Sequence, residues 1–520
     1  MAGTASPPFD PIRLGRLLAD ASGATTVEVG GFELLAGGAI QENWGFSATF
    51  AGGPSAGTHG LVLRTDAATG VPSSLGRIAE FAVLRAVHEA GVTVAEPLWA
   101  CGDLGVIGRP FFVMRRVAGT PQGREITTDP TLEPHLPALA ARLGRELARL
   151  QTVRPPHPGL DGLAMVGPAE HIAGFRAYLD GHRNPRPVLE WAIRWLAAHI
   201  PPPLPPVLCH RDFRTGNYLV DGHELAAILD WEFAGWGDPD EDIGWLCCKA
   251  WRFVRLDREL GGIADRAPFC DAYEAASGRR LDPARVFYWE VLANVRWAII
   301  ALQQSDRHLT GGARDLSTAI IGRRATECEL ELLMLLDPGG APEIAHAAPE
   351  VDVLRDLPGG SVLLELGREF LLRDILPLVP PQRHREFRLV TTAMAIAARE
   401  AQSGSQLGAA IHPSIAGFYR APHPSPLPAI GESEQISRTT SPFTPRPVSG
   451  EREGPVAQRW EGEGQTPPVL LRRFATDLRR GAFELCEPRA GAARAILWRL
   501  TISKLREGNP GYLAANGFGD

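Results

Sequence analysis

A short segment at positions 208–232 carries polar residues whose types and spacing suit phosphoryl transfer. It reads LCHRDFRTGNYLVDGHELAAILDWE and places Asp212, Asn217 and Asp230 between short apolar runs. Moving a phosphoryl group from a nucleotide needs a carboxylate beside the acceptor hydroxyl and oxygen ligands for Mg²⁺ at the phosphates. We therefore predict Asp212 as the catalytic carboxylate, and Asn217 and Asp230 as the metal ligands.

The local elements explain how these three residues would meet. VLCH, NYLV and AAILD have the character of short strands, so a tight loop would carry Asp212 and Asn217, and a hairpin would end at Asp230. Asp-x4-Asn alone is common and usually marks a turn. Its combination with His-Arg-Asp and a strand-terminal Asp is far rarer, which favours the chemical interpretation.

The composition of the whole chain limits the classes of function. Its 520 residues predict two or three domains, and 44% hydrophobic with 22% charged residues is ordinary for a soluble globular protein. The formal net charge of −7 argues against binding to a nucleic-acid backbone. Since no apolar run approaches the length of a bilayer span and no signal peptide is visible, we expect a cytoplasmic protein without nucleic-acid or membrane partners.

The N-terminal part of the chain reads as strands with one helix. A helical pattern at positions 74–91 places Ile78, Phe81, Leu84 and Val87 on one face. An apolar run, PFFVMRRV, predicts a last buried strand. Three further strand-like segments are separated by Gly-rich turns, namely TVEVGGFELL, GFSATF and GLVLRT.

From about residue 131 the pattern changes to helices. Five leucines at helical spacing form a core stripe between Leu136 and Leu150, and long helical patterns cover roughly 282–305 and 312–336. A break rich in Pro, Gly and Ala at 337–350 predicts a linker. Helical patterns resume beyond it, except in the tract 421–468, whose Pro-rich and aperiodic composition predicts disorder.

The run HRDFRTGNYLVD…LAAILDWEFAGWGDPDEDIGWL resembles the catalytic core of the aminoglycoside phosphotransferase and choline kinase-like family, relatives of the protein kinases. The His-x-Asp-x4-Asn loop, the Asp-Trp-Glu tripeptide and the GDP-x-x-D run from Gly237 to Asp242 all match. Arg211 departs from the glycine usual at its position and leaves Asp212 intact. The resemblance covers roughly residues 25–335 and implies ATP with Mg²⁺ as the phosphoryl donor.

The same resemblance implies the architecture, a bilobal protein-kinase-like α+β fold with an appended all-α domain. A small β-rich nucleotide-binding lobe would cover residues 1–115, and a mainly helical catalytic and acceptor-binding lobe 116–336. A linker at 337–350 would lead to a helical domain at 351–520, interrupted by the disordered insert 421–468. This extension resembles a small helical domain of unknown function found after such kinases.

A protein kinase is a weaker match than a small-molecule kinase. Protein kinases need a long activation segment that closes with Ala-Pro-Glu, whereas GDPDEDIGW follows Asp230 almost at once. The Ala-Pro-Glu triplets at 341–343 and 348–350 lie far downstream, in the predicted linker. We therefore expect a small hydroxylated molecule as the acceptor.

The resemblance also assigns the residues that would bind the nucleotide. Gly37 and Gly38 would form the Gly-rich turn that lets backbone N–H groups approach phosphate, although a plain hairpin is an equal alternative. PFFVMRRVAGT resembles the hinge between the lobes, with the backbone from Met114 to Arg116 meeting the adenine. A Walker-type Gly-Lys-Ser/Thr loop is absent from the sequence.

The cation that pairs with the phosphates is predicted to be an arginine. The chain has only two lysines, Lys249 and Lys504, and neither lies in the N-terminal region. Arg64, at the end of GLVLRT, occupies the matching position and can bind phosphate bidentately, with Glu80 as its helix partner. The alternative is an unrelated pair of surface residues.

One branch of the family fits best. GGAIQENW and DAYEAASGRRLDPARVFYWEVLANVRWAI resemble phosphotransferases related to the kinase half of acyl-CoA dehydrogenase fusions, which are thought to phosphorylate hydroxyacyl-CoA or similar metabolites. An aminoglycoside-type antibiotic kinase and a non-catalytic nucleotide-binding module remain alternatives. The acceptor region at about 250–310 mixes charges of both signs and decides neither.

Overall fold

The computed structural model has a β-rich N-terminal part followed by a mainly helical remainder, as predicted for a bilobal kinase-like fold with additional helices. The structure describes residues 7–35, 41–67, 74–310, 316–342, 360–403, 406–420, 467–484 and 487–518. Within these ranges no helix combines the length and the apolar character needed to cross a membrane.

The N-terminal lobe is built on a five-stranded antiparallel sheet in the order β1-β2-β3-β5-β4. All the strands predicted in this region are confirmed. The strand before the hinge, β4, was not predicted. The strand bounds are β1 Thr26–Leu34, β2 Gln41–Ala51, β3 Gly57–Asp66, β4 Pro97–Cys101 and β5 Phe111–Arg115.

Two helices cover the two faces of this sheet. Helix α1 (Pro11–Ser22) was not predicted; it buries Leu14 and Leu18 against the aromatic face of the sheet. Helix α2 (Arg77–Glu89) lies on the other side and packs against β4 and β5. The predicted apolar face of α2 is correct for Leu84 and Val87 but wrong for Ile78, which is 46% exposed. The first turn of α2 instead buries two charged residues of the site described below.

The second lobe is helical, as the leucine spacing predicted. Helix α5 buries its whole leucine stripe, and α10 runs through the centre of the lobe. A short helix between β4 and β5, α3 Leu104–Ile107, still belongs to the N-terminal lobe. The helices of the second lobe are α4 Gly123–Thr128, α5 Leu136–Leu150, α6 Pro168–Gly181, α7 Pro187–Ala198, α8 Glu241–Cys247, α9 Arg266–Ser277, α10 Pro283–Leu309, α11 Leu316–Arg323 and α12 Ala325–Leu336.

The remaining helices pack directly onto the second lobe. Leu196 of α7 and Trp289 of α10 share one hydrophobic cluster with Phe474 and Trp498 of the later helices. The predicted domain boundaries stay a prediction, and most of the linker and the insert lies outside the described residues. These helices are α13 Gly360–Phe370, α14 His384–Ser403, α15 Gln406–Arg420, α16 Pro467–Arg479, α17 Glu487–Gly508 and α18 Pro510–Ala515.

Candidate active site

Two small antiparallel ladders carry the predicted catalytic segment. Strand β6 (Val207–Cys209) pairs with β9 (Gly235–Gly237), and β7 (Tyr218–Asp221) pairs with β8 (Glu224–Ile228). The loop between β6 and β7 carries Asp212 and Asn217, whereas Asp230 follows β8. The predicted arrangement of a loop followed by a short hairpin is therefore confirmed.

The backbone of this segment adopts two sparsely populated conformations. Arg211 and Asp230 have φ values of 63° and 62°, a left-handed region that non-glycine residues rarely enter. The carboxylate of Asp242 holds the first of these, because it accepts the backbone N–H groups of His210 and Arg211, each at 2.7 Å. Strain of this kind persists where the surroundings over-determine the backbone, which is common at functional sites.

His210 ties the loop to the end of β8. Burial lowers the pKa of His210, so its ring is neutral. Its Nε2–H then donates to the carbonyl of Leu229 at 2.8 Å, while Nδ1 accepts from the backbone N–H of Asp212 at 3.2 Å. One imidazole thus fixes Asp212 relative to the strand that ends beside Asp230.

The carboxylate of Asp212 is held in place by three side chains. Its Oδ1 accepts from Nε1 of Trp245 at 2.9 Å and from Nε of Arg214 at 3.0 Å. The amide nitrogen of Asn217 donates to Oδ2 and also to the backbone carbonyl of Asp212, the latter at 3.0 Å. The side chain of Asp212 keeps 16% of its surface exposed, so this ordered carboxylate borders open space.

Arg64 links the two lobes at the predicted phosphate site. Its guanidinium lies 3.0 Å from Glu80 on α2 and 2.9 Å from Asp230. Burial lowers the pKa of Arg64, but the carboxylates of Glu80, Asp230 and Glu232 raise it by more, so the net shift is upward. The structure therefore brings two predicted residues, Glu80 and Asp230, together around one permanently charged cation, Arg64.

Sequence reasoning missed a second arginine at this centre. Arg77, in the first turn of α2, contacts Asp66 at 3.0 Å and shares Glu80 with Arg64. Its other terminal nitrogen donates to the hydroxyl of Ser74 at 3.0 Å. The signal was present, since Arg77 and Glu80 are three positions apart and face the same side of a helix.

Glu232, the last residue of the Asp-Trp-Glu tripeptide, was also not assigned a role. It accepts a hydrogen bond from Ser74 at 2.7 Å, and its backbone carbonyl accepts from Leu75 at 2.7 Å. Burial raises the pKa of Glu232 to about 7, with Arg64 acting in the opposite direction. The tripeptide thus anchors the segment before α2 to the second lobe.

The structure gives less support to the other residues that were predicted to bind the nucleotide. Gly37 and Gly38 lie outside the described residues. Met114 pairs with Val62 inside the sheet, and the backbone N–H of Arg116 donates to Gly60 at 3.0 Å. The Arg116 guanidinium pairs with Glu33 on β1. The assignment of this hinge to the adenine stays a prediction.

The acidic run after β9, residues 238–242, forms buried ion pairs in addition to holding the loop. Arg285 bridges Asp238 at 2.6 Å and Asp240 at 2.9 Å. Burial opposes ionisation of Glu241, but His171, Arg211 and Arg296 outweigh it and lower the pKa of Glu241 to about 2. Burial and this neighbouring charge raise the pKa of Asp242 to about 7, while its two backbone hydrogen bonds act in the opposite direction.

The donor set fits a hard divalent cation such as Mg²⁺. The amide nitrogen of Asn217 faces Asp212, which leaves its oxygen as a ligand, and Arg64 contacts only Oδ1 of Asp230. Asp230 is also 32% exposed. Among the described residues no group of three or more His, Cys, Asp or Glu could hold a metal by itself. The protein would thus supply part of the coordination, and phosphate oxygens and water the rest.

The fold of this chain is similar to that of kinase-like phosphotransferases. Residues 37–286 match the model of the phosphotransferase enzyme family, as the motifs predicted. A solved structure from Ralstonia eutropha JMP134, of a protein assigned to the aminoglycoside phosphotransferases, has the same fold. It is 22% identical, with a TM-score of 0.52, and the match covers 63% of this chain and 98% of that one.

Curated relatives match about a third of the chain. Acyl-CoA dehydrogenase family member 10 of Mus musculus is 31% identical over 197 residues, which are 36% of this chain and 18% of that protein. Acyl-CoA dehydrogenase family member 11 of Gallus gallus is 32% identical over 176 residues, 32% of this chain and 22% of that protein. The similarity thus spans less than a quarter of each relative.

Proposed function

We propose that the protein transfers the γ-phosphoryl group of ATP to a hydroxyl of a small molecule. The observation that carries this proposal is the cluster in which Asp212 and Asn217 share a hydrogen bond while Arg64 joins Glu80 to Asp230. A carboxylate, oxygen ligands and a fixed cation are the parts that phosphoryl transfer requires, and this cluster contains all three.

In the proposed reaction, Asp212 orients the acceptor hydroxyl and accepts its proton. The acceptor oxygen forms a bond to the γ-phosphorus as the bridging bond to the β-phosphate breaks, and ADP leaves. The indole of Trp245 and the amide of Asn217 fix the carboxylate before substrate arrives. Such preorganisation avoids reorientation during the reaction.

Arg64 is proposed to hold the nucleotide phosphates, and its pairing with Glu80 fixes the direction of the guanidinium. Asn217 and Asp230 would hold Mg²⁺, which supplies charge neutralisation at the phosphates. Arg77 supports Glu80 from the opposite side. The domain boundaries and the cytoplasmic location predicted from the sequence are also part of the proposal.

The acceptor that we favour is a hydroxyacyl-CoA-like metabolite. Its support is the resemblance to the kinase half of acyl-CoA dehydrogenase fusions, together with relatives that carry the acyl-CoA dehydrogenase family name. A second observation agrees with an anionic acceptor. Arg214 contacts Asp212 at 3.0 Å, and Arg296 lies 4.6 Å from the ring of Trp245, so cations flank the catalytic carboxylate. A polycationic aminoglycoside would meet them unfavourably.

A panel experiment tests the proposal. The protein is incubated with Mg·ATP and hydroxylated candidates, including hydroxyacyl-CoA esters of several chain lengths and aminoglycosides, and products that gain one phosphoryl group are detected by mass spectrometry. We expect phosphorylation of an acyl-CoA-type acceptor and none of aminoglycosides. Mg·ATP binding with no phosphorylated product from any candidate would instead support the non-catalytic alternative.

A further inference from the structure

The segment 509–516, which contains α18, contacts a largely buried lysine of the second lobe, Lys249. Nζ of Lys249 lies 3.1 Å from Glu331 on α12 and donates to the side-chain oxygen of Asn516. The hydroxyl of Tyr512 donates to the other carboxylate oxygen of Glu331 at 2.7 Å. Lys249 and Glu331 are only 12% and 8% exposed, so each depends on these partners.

A second contact anchors the start of the same segment. Asn509 caps α18 by accepting the backbone N–H of Tyr512 at 3.1 Å. Its amide nitrogen donates to Glu327 on α12 at 2.9 Å. Glu327 also pairs with Arg324, at 3.1 Å. The segment is thus fixed at both ends against one helix of the catalytic lobe.

Lys249 begins the short turn that ends at Trp251. Trp251 belongs to an aromatic group that we call the tryptophan cluster, made of Trp245, Trp251 and Trp297. The ring of Trp251 lies 5.2 Å from Trp245 and 4.7 Å from Trp297. Trp245 donates to Asp212 at 2.9 Å, and the guanidinium of Arg214 lies 4.5 Å above the ring of Trp251.

Packing alone orients the ring of Trp251. The residue is 5% exposed, and among the described residues its Nε1 has no hydrogen-bond partner. A ring without a hydrogen bond follows the backbone that carries it and the rings around it. The position of Lys249 therefore sets the position of Trp251, and hence the surface on which Arg214 lies.

We propose that the segment 509–516 positions the tryptophan cluster, and through it Asp212 and Arg214. Lys249, Tyr512 and Asn516 are then positioning residues of the phosphoryl-acceptor side, although none of them touches the reacting atoms. The inference rests on the proposed function for its effect on turnover. Its structural step, from the segment to the cluster, can be measured without any activity.

The test uses the full chain with two disruptive changes, Tyr512→Phe and Asn516→Leu. Asn516→Asp is the conservative variant, because it keeps an oxygen for Lys249. Tyr419→Phe is the matched control, since Tyr419 donates to Asp477 at 2.5 Å between α15 and α16, and its ring lies against Phe418 and Arg473. Spectra of 5-fluorotryptophan-labelled protein give one ¹⁹F resonance per tryptophan, assigned with Trp→Phe variants.

We expect Tyr512→Phe and Asn516→Leu to shift the resonances of Trp245 and Trp251, and Asn516→Asp and Tyr419→Phe to leave them in place. Turnover is followed as Asp212-dependent hydrolysis of Mg·ATP, with water as the acceptor probe. The two disruptive variants should lower kcat about three- to tenfold and leave KM for ATP unchanged, the size expected when contacts along a coupled network are removed.

Unchanged resonances of the cluster in both disruptive variants would overturn the inference. So would shifted resonances with an unchanged kcat, or an equal loss of kcat in Tyr419→Phe. A parent protein that hydrolyses no ATP and phosphorylates no member of the acceptor panel would count against the proposed function instead. In that case the ¹⁹F spectra alone decide whether the segment positions the cluster.

Discussion

At the scale of single residues, Arg64 bridges two carboxylates that belong to different lobes. It meets Glu80 on α2 through Nε and Asp230 through Nη1. The planar guanidinium of an arginine can contact both carboxylates at once through separate nitrogens, whereas a lysine offers only a single ammonium nitrogen. The use of Arg at this position therefore has a geometric reason in the structure.

Arg64→Ala should weaken ATP binding about 10- to 100-fold, because charge-assisted hydrogen bonds contribute about 1.5–3 kcal/mol each. Arg64→Lys should retain most of the affinity, since a fixed cation remains. Calorimetric titration with Mg·ATP measures both. Arg85→Ala, an exposed arginine of α2 paired with Glu89 at 3.2 Å, is the control. If Arg64→Ala bound ATP like the parent, the assignment of the phosphate cation would be wrong.

The residues of this site could be predicted from the sequence only where a motif fixes their spacing. Asp212, Asn217 and Asp230 follow from such a motif, and Arg64 and Glu80 from the resemblance. Trp245 could not be found in this way, because its contact with Asp212 depends on how α8 packs against the loop. Glu232 was hidden for a related reason, since its partner Ser74 lies far from it in sequence and leaves no local signature. Arg77 differs, because its i,i+3 spacing from Glu80 was a local signal that was overlooked.

At the scale of elements, one glycine sets how closely two helices of the catalytic lobe approach. A Cβ on Gly144 of α5 would lie 2.4 Å from the carbonyl oxygen of Phe269 and 3.1 Å from the amide of Tyr273, both on α9. Those atoms are backbone and cannot rotate away. The pairing of α5 with α9 therefore requires a residue without a side chain at this position.

Gly144→Ala should lower the free energy of unfolding by about 1–3 kcal/mol, the usual cost of overpacking. Gly174→Ala on α6 is the matched control, because a Cβ there meets nothing within 4 Å. In that open helical position alanine should stabilise by up to about 1 kcal/mol. Urea denaturation measures both changes, and an equal response of the two variants would contradict the packing argument.

Lys504 of α17 gives a pH-dependent prediction. Burial lowers the pKa of Lys504 to about 8, from 10.5, although Glu329 opposes the shift. Between these values the unfolded chain binds a proton that the folded chain has lost, so stability rises with pH across this window. Arg186 also pairs with Glu329, at 3.0 Å, so removing the lysine leaves that carboxylate partnered.

Lys504→Met should abolish this rise. The free energy of unfolding of the parent, minus that of the variant, should increase by about 1–3 kcal/mol from pH 7.5 to pH 10. Arg480→Met, at the exposed position that follows α16, should show no such slope. Denaturant curves at several pH values supply the measurement, and a difference that stays flat would show that Lys504 is not desolvated.

The elements themselves were predictable where the hydrophobic period was strong. The leucine stripe of α5 and the strands of the N-terminal lobe follow from periodicity alone. Helix α1 was missed although Asp10, Pro11 and Gly23 mark its ends. Strand β4 was missed because it is short and pairs only with β5. The face of α2 was partly misjudged for another reason, since it buries Arg77 and Glu80 in an ion-pair network that no hydrophobic pattern reveals.

At the scale of the whole molecule, the helices on either side of the Pro-rich tract pack together. Phe418 of α15 and Phe474 of α16 have ring centroids 5.7 Å apart, and Tyr419 donates to Asp477 across the same pair. Both helices share a hydrophobic cluster with the catalytic lobe. This arrangement agrees with an insertion into one helical unit. Residues 421–466 of the predicted tract lie outside the described residues, and its last two positions, 467 and 468, begin α16.

Replacing 421–466 with a short Gly/Ser loop should leave the melting temperature and the kinase activity nearly unchanged. Loop closure entropy grows only with the logarithm of length, so the insert costs of order 1 kcal/mol. Limited proteolysis should cut first near Arg438, Arg446 or Arg452, and the fragments should stay associated. A large loss of stability in the shortened chain, or hydrogen-exchange protection within the tract, would show that it folds and packs.

The central claim is that Asp212 serves phosphoryl transfer to a hydroxyl, and ³¹P NMR tests it most directly. With Mg·ATP and the pooled acceptors, the parent should form a phosphate-ester resonance and an equal amount of ADP. Asp212→Asn should slow this about 10²- to 10⁴-fold, and Asp221→Asn, at the exposed end of β7, should not. An ester formed by Asp212→Asn at the rate of the parent would contradict the account, as would intact ATP in the parent.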